Sequence, residues 1–224
     1  MRRAFLHGFA GDPATWAGIA RADGDDICVA LPGHGPIPVQ PSWDSNRDAV
    51  RDAIGRCDVV IGYSLGARVA LGLVVAGCVP RAILISVNPG ISDVEARERR
   101  ERDAAWAAIL RHRGIAAFAD EWTKQPLFAT QAARVPAERL AARRERRLAL
   151  DPEQLAQCLE TMGLAAMPDY RADFPVDRCR LICGADDAKF LAVARDTKAP
   201  LDVIANCGHD PTLEQPAALA RLLG

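Results

Sequence analysis

The sequence of 224 residues predicts an α/β protein with about six parallel strands flanked by helices, and a helical lid inserted between the fourth and fifth strands. Three observations lead there. Short apolar runs closed by glycine- or proline-bearing loops alternate with helical periodicity, the pattern of a parallel sheet covered on both faces. One run passes straight into a helical pattern through Gly62-Tyr63-Ser64-Leu65-Gly66. Residues from about 91 to 168 carry helical periodicity and no convincing strand, which marks them as an insertion. The length fits one domain, 1–224, with that lid.

The elements follow in order. Residues 3–6 form a first strand that delivers the loop His7-Gly8-Phe9-Ala10-Gly11-Asp12 to its carboxyl end. Trp16 and Ile19 suit a short helix. Residues 27–31 read as a buried strand, stopped by Pro32-Gly33-His34-Gly35-Pro36, and Pro38 and Pro41 keep 32–41 irregular. Ser42 caps a helix whose apolar positions are Ala49, Val50, Ala53 and Ile54. Residues 58–61 are the third strand, and an alanine- and leucine-rich helix follows it at once. The fourth strand, 81–87, ends at Asn88-Pro89-Gly90. After the lid come strands at 180–183 and 201–205, and a closing helix from about 212 to 223.

Composition excludes several classes. A net charge of −1 leaves no footprint for nucleic acid or an anionic membrane surface, and no apolar run approaches a transmembrane length. The apolar run after Arg2 and Arg3 is too short for a signal peptide. The seven cysteines (28, 57, 78, 158, 179, 183 and 207) are odd in number and form no Cys-x-x-Cys pair. They read as buried small hydrophobes in a reducing cytoplasm, with no metal site expected at Cys179 and Cys183.

The third strand carries the chemistry. A strand running into Gly-x-Ser-x-Gly and then a helix is the form of a nucleophile elbow, a sharp turn that presents a serine hydroxyl above the sheet. Gly62 and Gly66 leave room where a Cβ would clash. A serine hydroxyl works only when a base takes its proton and a third group orients that base. Partners should lie just after strands: Asp186 and Asp187 follow the fifth, and His209 follows the sixth. Among the other histidines, His7 shapes the loop after the first strand through hydrogen bonds, His34 is structural, with lining the pocket as the alternative, and His112 is solvated on a lid helix. An oxyanion hole needs two backbone N–H groups, and Leu65 and Phe9 are the natural donors.

Four stretches, Leu6-His7-Gly8-Phe9, Pro32-Gly33-His34-Gly35, Gly62-Tyr63-Ser64-Leu65-Gly66 and Cys207-Gly208-His209, together resemble the α/β-hydrolase superfamily. Further stretches resemble one branch, the menaquinone-pathway 2-succinyl-6-hydroxy-2,4-cyclohexadiene-1-carboxylate synthases. They are the elbow continued to Arg68, Asn88-Pro89-Gly90 with 97–103 after it, Phe118-Ala119-Asp120-Glu121-Trp122 leading to Pro126-Leu127-Phe128, and Gly184-Ala185-Asp186-Asp187-Ala188-Lys189-Phe190. The resemblance implies a triad of Ser64, Asp187 and His209, its Gly-x-x-Asp pattern selecting Asp187 over Asp186. It also implies substrate contacts at Tyr63, Arg68, Arg99, Trp122 and Arg147, with Arg97, Arg100 and Arg102 close enough to compete with Arg99. The implied reaction is elimination of pyruvate from 2-succinyl-5-enolpyruvyl-6-hydroxy-3-cyclohexene-1-carboxylate, with Ser64 as a base and with no metal or organic cofactor. Ala67 departs from the pattern, where a second glycine is usual.

Between Arg97 and Arg147 the lid has twelve arginines and one lysine against seven acids, a net of +6. Guanidinium forks suit carboxylates, so the expected partner is a small polycarboxylate substrate. The competing expectation is a solvated helix face in which these arginines pair with Glu98, Glu101 and Glu145. Two other functions stay open on the residues alone: a serine carboxylesterase or thioesterase using Ser64 as nucleophile, and a non-catalytic ligand-binding protein on the same fold.

Overall fold

The computed structural model describes residues 1–21 and 24–224. Six strands form one sheet: β1 (Arg3–Leu6), β2 (Ile27–Val29), β3 (Val59–Tyr63), β4 (Arg81–Ile85), β5 (Cys179–Gly184) and β6 (Leu201–Ile204). They lie in the order β2-β1-β3-β4-β5-β6, and every neighbouring pair is parallel. The apolar run of β3 is buried along its whole length, as a strand covered on both faces must be.

Alternation along the strands builds two cores. Leu6, Val60, Leu84 and Leu181 point into one, with Leu71 and Val74 from the helix after β3. Phe5, Ile61, Ile85 and Ile182 point into the other, against Trp16, Leu219 and Leu223. At the inner end of β1, Arg3 is 2% exposed and its Nη2 donates to Asp26 at 2.5 Å. Pairing is what lets a charge sit there.

The helices are α1 (Trp43–Ile54), α2 (Leu65–Val75), α3 (Asp93–Trp122), α4 (Gln131–Arg134), α5 (Ala137–Leu148), α6 (Pro152–Met162), α7 (Ala188–Asp196), α8 (Pro211–Glu214) and α9 (Pro216–Leu223). Ser42 caps α1 and Ser92 caps α3 through reciprocal side-chain bonds with Ser45 and Glu95. The lid consists of α3 to α6. Phe118, Leu110, Ala107, Leu155 and Leu159 seat it apolar-side down beside Ala10 and Phe9. Helix α5 is different: its one buried residue is Arg147.

Several boundaries differ from expectation. The closing helix is two helices, because Pro216 has no N–H to donate and pushes Gln215 out of the helical region (φ −138°). The first helical segment is a single 3-10 turn, Pro13–Trp16. Strand β4 stops at Ile85 because Ser86 turns to φ 51°. Helix α3 breaks at Gly114, whose φ of 78° and ψ of 175° only glycine adopts readily. Five cysteines are buried as expected, whereas Cys28 is half-buried and Cys78 is exposed. Among the described residues no helix is long and apolar enough to cross a membrane. Nor is any group of His, Cys, Asp and Glu there placed to hold a metal ion.

Candidate active site

Ser64 sits between β3 and α2 with φ 52° and ψ −108°, a strained backbone for a residue with a side chain. The surroundings impose it. The Ser64 N–H donates to the Ile85 carbonyl at 2.9 Å, and the Ser64 carbonyl accepts from the Arg68 N–H at 3.1 Å. The chain is so tight here that a Cβ on Gly66 would lie 2.2 Å from the Leu6 carbonyl oxygen, and one on Gly62 would lie 2.2 Å from that of Gly66. The hydroxyl is left standing at the carboxyl ends of the strands.

The β5 and β6 loops bring two partners to it. His209 Nε2 lies 3.2 Å from Ser64 Oγ, and His209 Nδ1 lies 2.7 Å from Asp187 Oδ2. Asp187 is 6% exposed and opens α7, whereas Asp186 is exposed and pairs with Arg134 at 2.7 Å. Ser86 Oγ donates to the His209 carbonyl at 2.9 Å, and the Phe190 ring stands 4.4 Å from the imidazole. The bonds at the two ring nitrogens hold the imidazole so that Nδ1 faces the carboxylate and Nε2 faces the serine.

Two fully buried histidines shape the loop after β1. His7 Nε2 accepts the Leu31 N–H at 3.1 Å and His34 Nε2 accepts the Ala10 N–H at 3.0 Å. Their Nδ1 atoms donate to the carbonyls of Gly8 and Pro32. Burial pushes His7 down to about 4 and His34 down to about 3, so both rings are neutral and can accept. The two loops are thereby stitched together, with Phe9 between them. Leu65 opens α2, so its N–H has no partner within the helix.

A cavity of about 170 Å³ lies over Ser64, roofed by the lid. Of the residues singled out in the sequence, Ser64, His209, Phe9, Leu65, Arg68, Arg99 and Trp122 all line it. Trp122 packs against Phe9 and Trp106, each at 5.1 Å between ring centres. Arg99 Nε donates to both oxygens of Asp103 at 2.9 Å. Among the described residues Arg68 has one hydrogen-bond acceptor, the Met162 carbonyl at 3.0 Å, and no carboxylate partner. Burial and the neighbouring Arg99 lower its guanidinium to about 10. Asn88, Arg99, Arg102 and Leu164 also line a second hollow of about 360 Å³ further out.

Tyr63 and Arg147 do not line this cavity. Tyr63 lies beneath the site, 3% exposed, its ring 5.6 Å from that of His209. Arg147 is buried with its Nε donating to the Ala10 carbonyl at 3.3 Å. The pairing of lid arginines with Glu98, Glu101 and Glu145 is absent among the described residues. Arg111 binds Glu153 and Glu160, Arg144 binds Asp120, and Arg134, Arg143 and Arg146 reach down to Asp186, Asp210 and Asp12 of the core. Arg102, a competitor of Arg99 in the sequence, lines the cavity beside it, whereas sequence reasoning missed Ser86, Asn88 and Phe190 at the site. For Ser86 and Asn88, their position just after a strand was an available signal.

The chain matches the alpha/beta hydrolase family over residues 4–222. It is 36% identical to the 2-succinyl-6-hydroxy-2,4-cyclohexadiene-1-carboxylate synthase of Klebsiella pneumoniae subsp. pneumoniae, over 98% of this chain and 90% of that protein. The synthase of the same name from Escherichia coli is 35% identical, over 96% and 89%. Among solved structures, MenH from S. aureus superposes with a TM-score of 0.90 at 27% identity, over 100% of this chain and 91% of that one. A thermophilic esterase from Thermogutta terrifontis shares the fold, with a TM-score of 0.79 at 23% identity over 100% and 88%.

Proposed function

The chain belongs to the alpha/beta hydrolase family and, within it, to the 2-succinyl-6-hydroxy-2,4-cyclohexadiene-1-carboxylate synthases, and on that premise we propose that it acts in menaquinone biosynthesis. It eliminates pyruvate from 2-succinyl-5-enolpyruvyl-6-hydroxy-3-cyclohexene-1-carboxylate. The observation that carries this reading is a serine, histidine and aspartate in one hydrogen-bonded line, opening on a cavity whose charged lining is three arginines and one acid. The acid, Asp103, is already held by Arg99, so the cavity has cationic capacity to spare.

In this reading Ser64 Oγ gives its hydroxyl proton to His209 as it takes the ring proton, and Asp187 stabilises the charged imidazole. The electron pair left behind delocalises on to oxygen, and the Phe9 and Leu65 N–H groups bind that developing charge. Collapse forms the new ring double bond and breaks the C–O bond to the enolpyruvyl group, which leaves as the enolate; the proton given up by His209 balances the one the enolate gains on carbon to become pyruvate. Arg68 and Arg99 hold substrate carboxylates, and Trp122 covers the ring. Tyr63 and Arg147 act from behind the cavity wall, through the His209 loop and the Ala10 carbonyl. Seven free thiols, which are stable in a reducing compartment, support a cytoplasmic setting for the reaction.

The test is pyruvate release from the named substrate, coupled to NADH oxidation, by wild type and Ser64→Ala. Release by wild type and its loss in the variant are expected. No release, together with rapid hydrolysis of simple esters and an acyl group trapped on Ser64, overturns the reading in favour of a serine esterase.

A further inference from the structure

Behind the candidate triad lies a second buried charged cluster that the reaction does not use. Asp210 directly follows His209 and is 0% exposed. One of its oxygens accepts from the Thr212 hydroxyl at 2.5 Å and the Leu213 N–H at 3.3 Å. Its other oxygen is bound by Nη1 of Arg143, which descends from lid helix α5 and whose side chain is 14% exposed. Tyr63, the residue before Ser64, completes the cluster, its hydroxyl facing Asp210 and Arg143. The cluster therefore joins the neighbour of the serine, the neighbour of the histidine, and the lid.

Electrostatics give the arrangement a consequence. Burial alone would push the Asp210 carboxyl up, but the charge of Arg143, the Thr212 hydroxyl and His209 together hold it below the usual range. Asp210 is thus an anion adjacent in the chain to His209, and among the described residues its one cationic hydrogen-bond partner arrives with the lid. We propose that Arg143 is a positioning residue of this site, which neutralises Asp210 when the lid is seated and so keeps His209 free of a second anion. With the lid raised, Asp210 faces His209 uncompensated, the imidazole holds a proton and cannot accept one from Ser64. With the lid down, the base is restored.

Other charged groups face this cluster from each packed element: Arg147 beside Arg143 on α5, Asp12 and His7 from the β1 loop, Asp187 across the imidazole, and the Arg134–Glu214 pair behind Cys207. None of them supplies a second hydrogen-bonding cation to Asp210 among the described residues. Arg147 adds positive charge from further along the same helix, so it too leaves when the lid lifts.

The proposal rests on reading His209 as the base of this site, and its test needs no turnover. The chain has four histidines, and burial keeps His7 and His34 neutral, so the His209 signal has only His7, His34 and His112 to be told apart from. NMR titration of the imidazole, assigned with His209→Gln, is run on wild type, Arg143→Gln, Arg143→Lys, Asp210→Asn and the Arg143→Gln/Asp210→Asn pair. An uncompensated neighbouring anion shifts such a midpoint by about one pH unit upward. The expected pattern is that rise in Arg143→Gln, little change in Arg143→Lys, a fall in Asp210→Asn, and return towards wild type in the double variant. A midpoint that ignores both residues overturns the proposal, as does a double variant that behaves like Arg143→Gln alone. Asp210→Asn keeps the Thr212 and Leu213 bonds, so it remains informative if Arg143→Gln does not fold. The expected titrations without any pyruvate release would leave this inference standing and defeat the proposed reaction.

Discussion

Arg68→Met keeps the bulk of the side chain and removes its charge, one turn into α2 and facing the cavity. In the folded protein the guanidinium falls from 12.5 to about 10, and at 1.36 kcal/mol per unit its charge is about 3 kcal/mol less favourable there than in water. The sign is that of a base with a depressed value: the cost is present in full at pH 7, begins to lift only above about 10 and is gone at the ordinary 12.5. Losing the bond to the Met162 carbonyl returns about 1 kcal/mol of that, so Arg68→Met should stabilise the chain by about 2 kcal/mol, or about 4–8 °C in Tm for a chain of this size. A substrate carboxylate relieves the same penalty on binding. Its removal should therefore lower kcat/KM for pyruvate release about a hundredfold, with Arg68→Lys recovering part of the loss. Calorimetry and the coupled assay read the two effects separately. Activity within threefold of wild type, or a loss accompanied by a lower Tm, would refute the reasoning and make Arg68 a structural residue.

Three further outcomes are expected. Because His7 and His34 are depressed below their ordinary 6.5, the unfolded chain binds protons that the folded one refuses; stability should fall below pH 6.5 by up to about 1.4 kcal/mol per unit for each ring, down to about pH 4. Urea titrations from pH 7 to 4.5 would show it, with His34→Gln giving about half the slope and a flat wild-type profile contradicting it. Gly184→Ala puts a Cβ 2.1 Å from the Gly208 carbonyl oxygen and should displace the His209 loop, costing most of the activity and several kcal/mol of stability by thermal melt. Asp187→Asn should lower kcat by about 10⁴ with little change in Tm, since it removes the orienting charge and keeps the side-chain volume; a drop below tenfold would point to another acid.

The six parallel strands, the elbow and the lid were legible because each rests on local patterns: apolar runs, Gly-x-Ser-x-Gly, and helical periodicity without strands. The Asp187 choice came from resemblance, and the geometry adds the reason that Asp186 points outward to Arg134. What stayed hidden was which lid arginine meets which acid. Arg143 and Asp210 are 67 residues apart, and nothing in a run of arginines says which will face the core once α5 is docked. Asp210 did carry a local sign, since an aspartate before Pro211 is a helix cap. Its second oxygen, left free by that cap, is the one Arg143 takes. The break at Pro216 was likewise readable from proline chemistry, whereas the kink at Gly114 was masked by the continuous periodicity around it.

The docking of α5 differs in kind from that of its neighbours. Helices α3 and α6 rest on phenylalanine, leucine and alanine, contacts that weaken as water cools. Helix α5 meets the core through Arg143, Arg146 and Arg147, two of them on carboxylates and one on a carbonyl. Its grip answers to ionic strength, most of all at the partly exposed Arg146–Asp12 pair, where ions within a screening length of about 8 Å compete directly. One arm of the lid is thus held by apolar burial, and the other by contacts that the salt content of the medium can loosen.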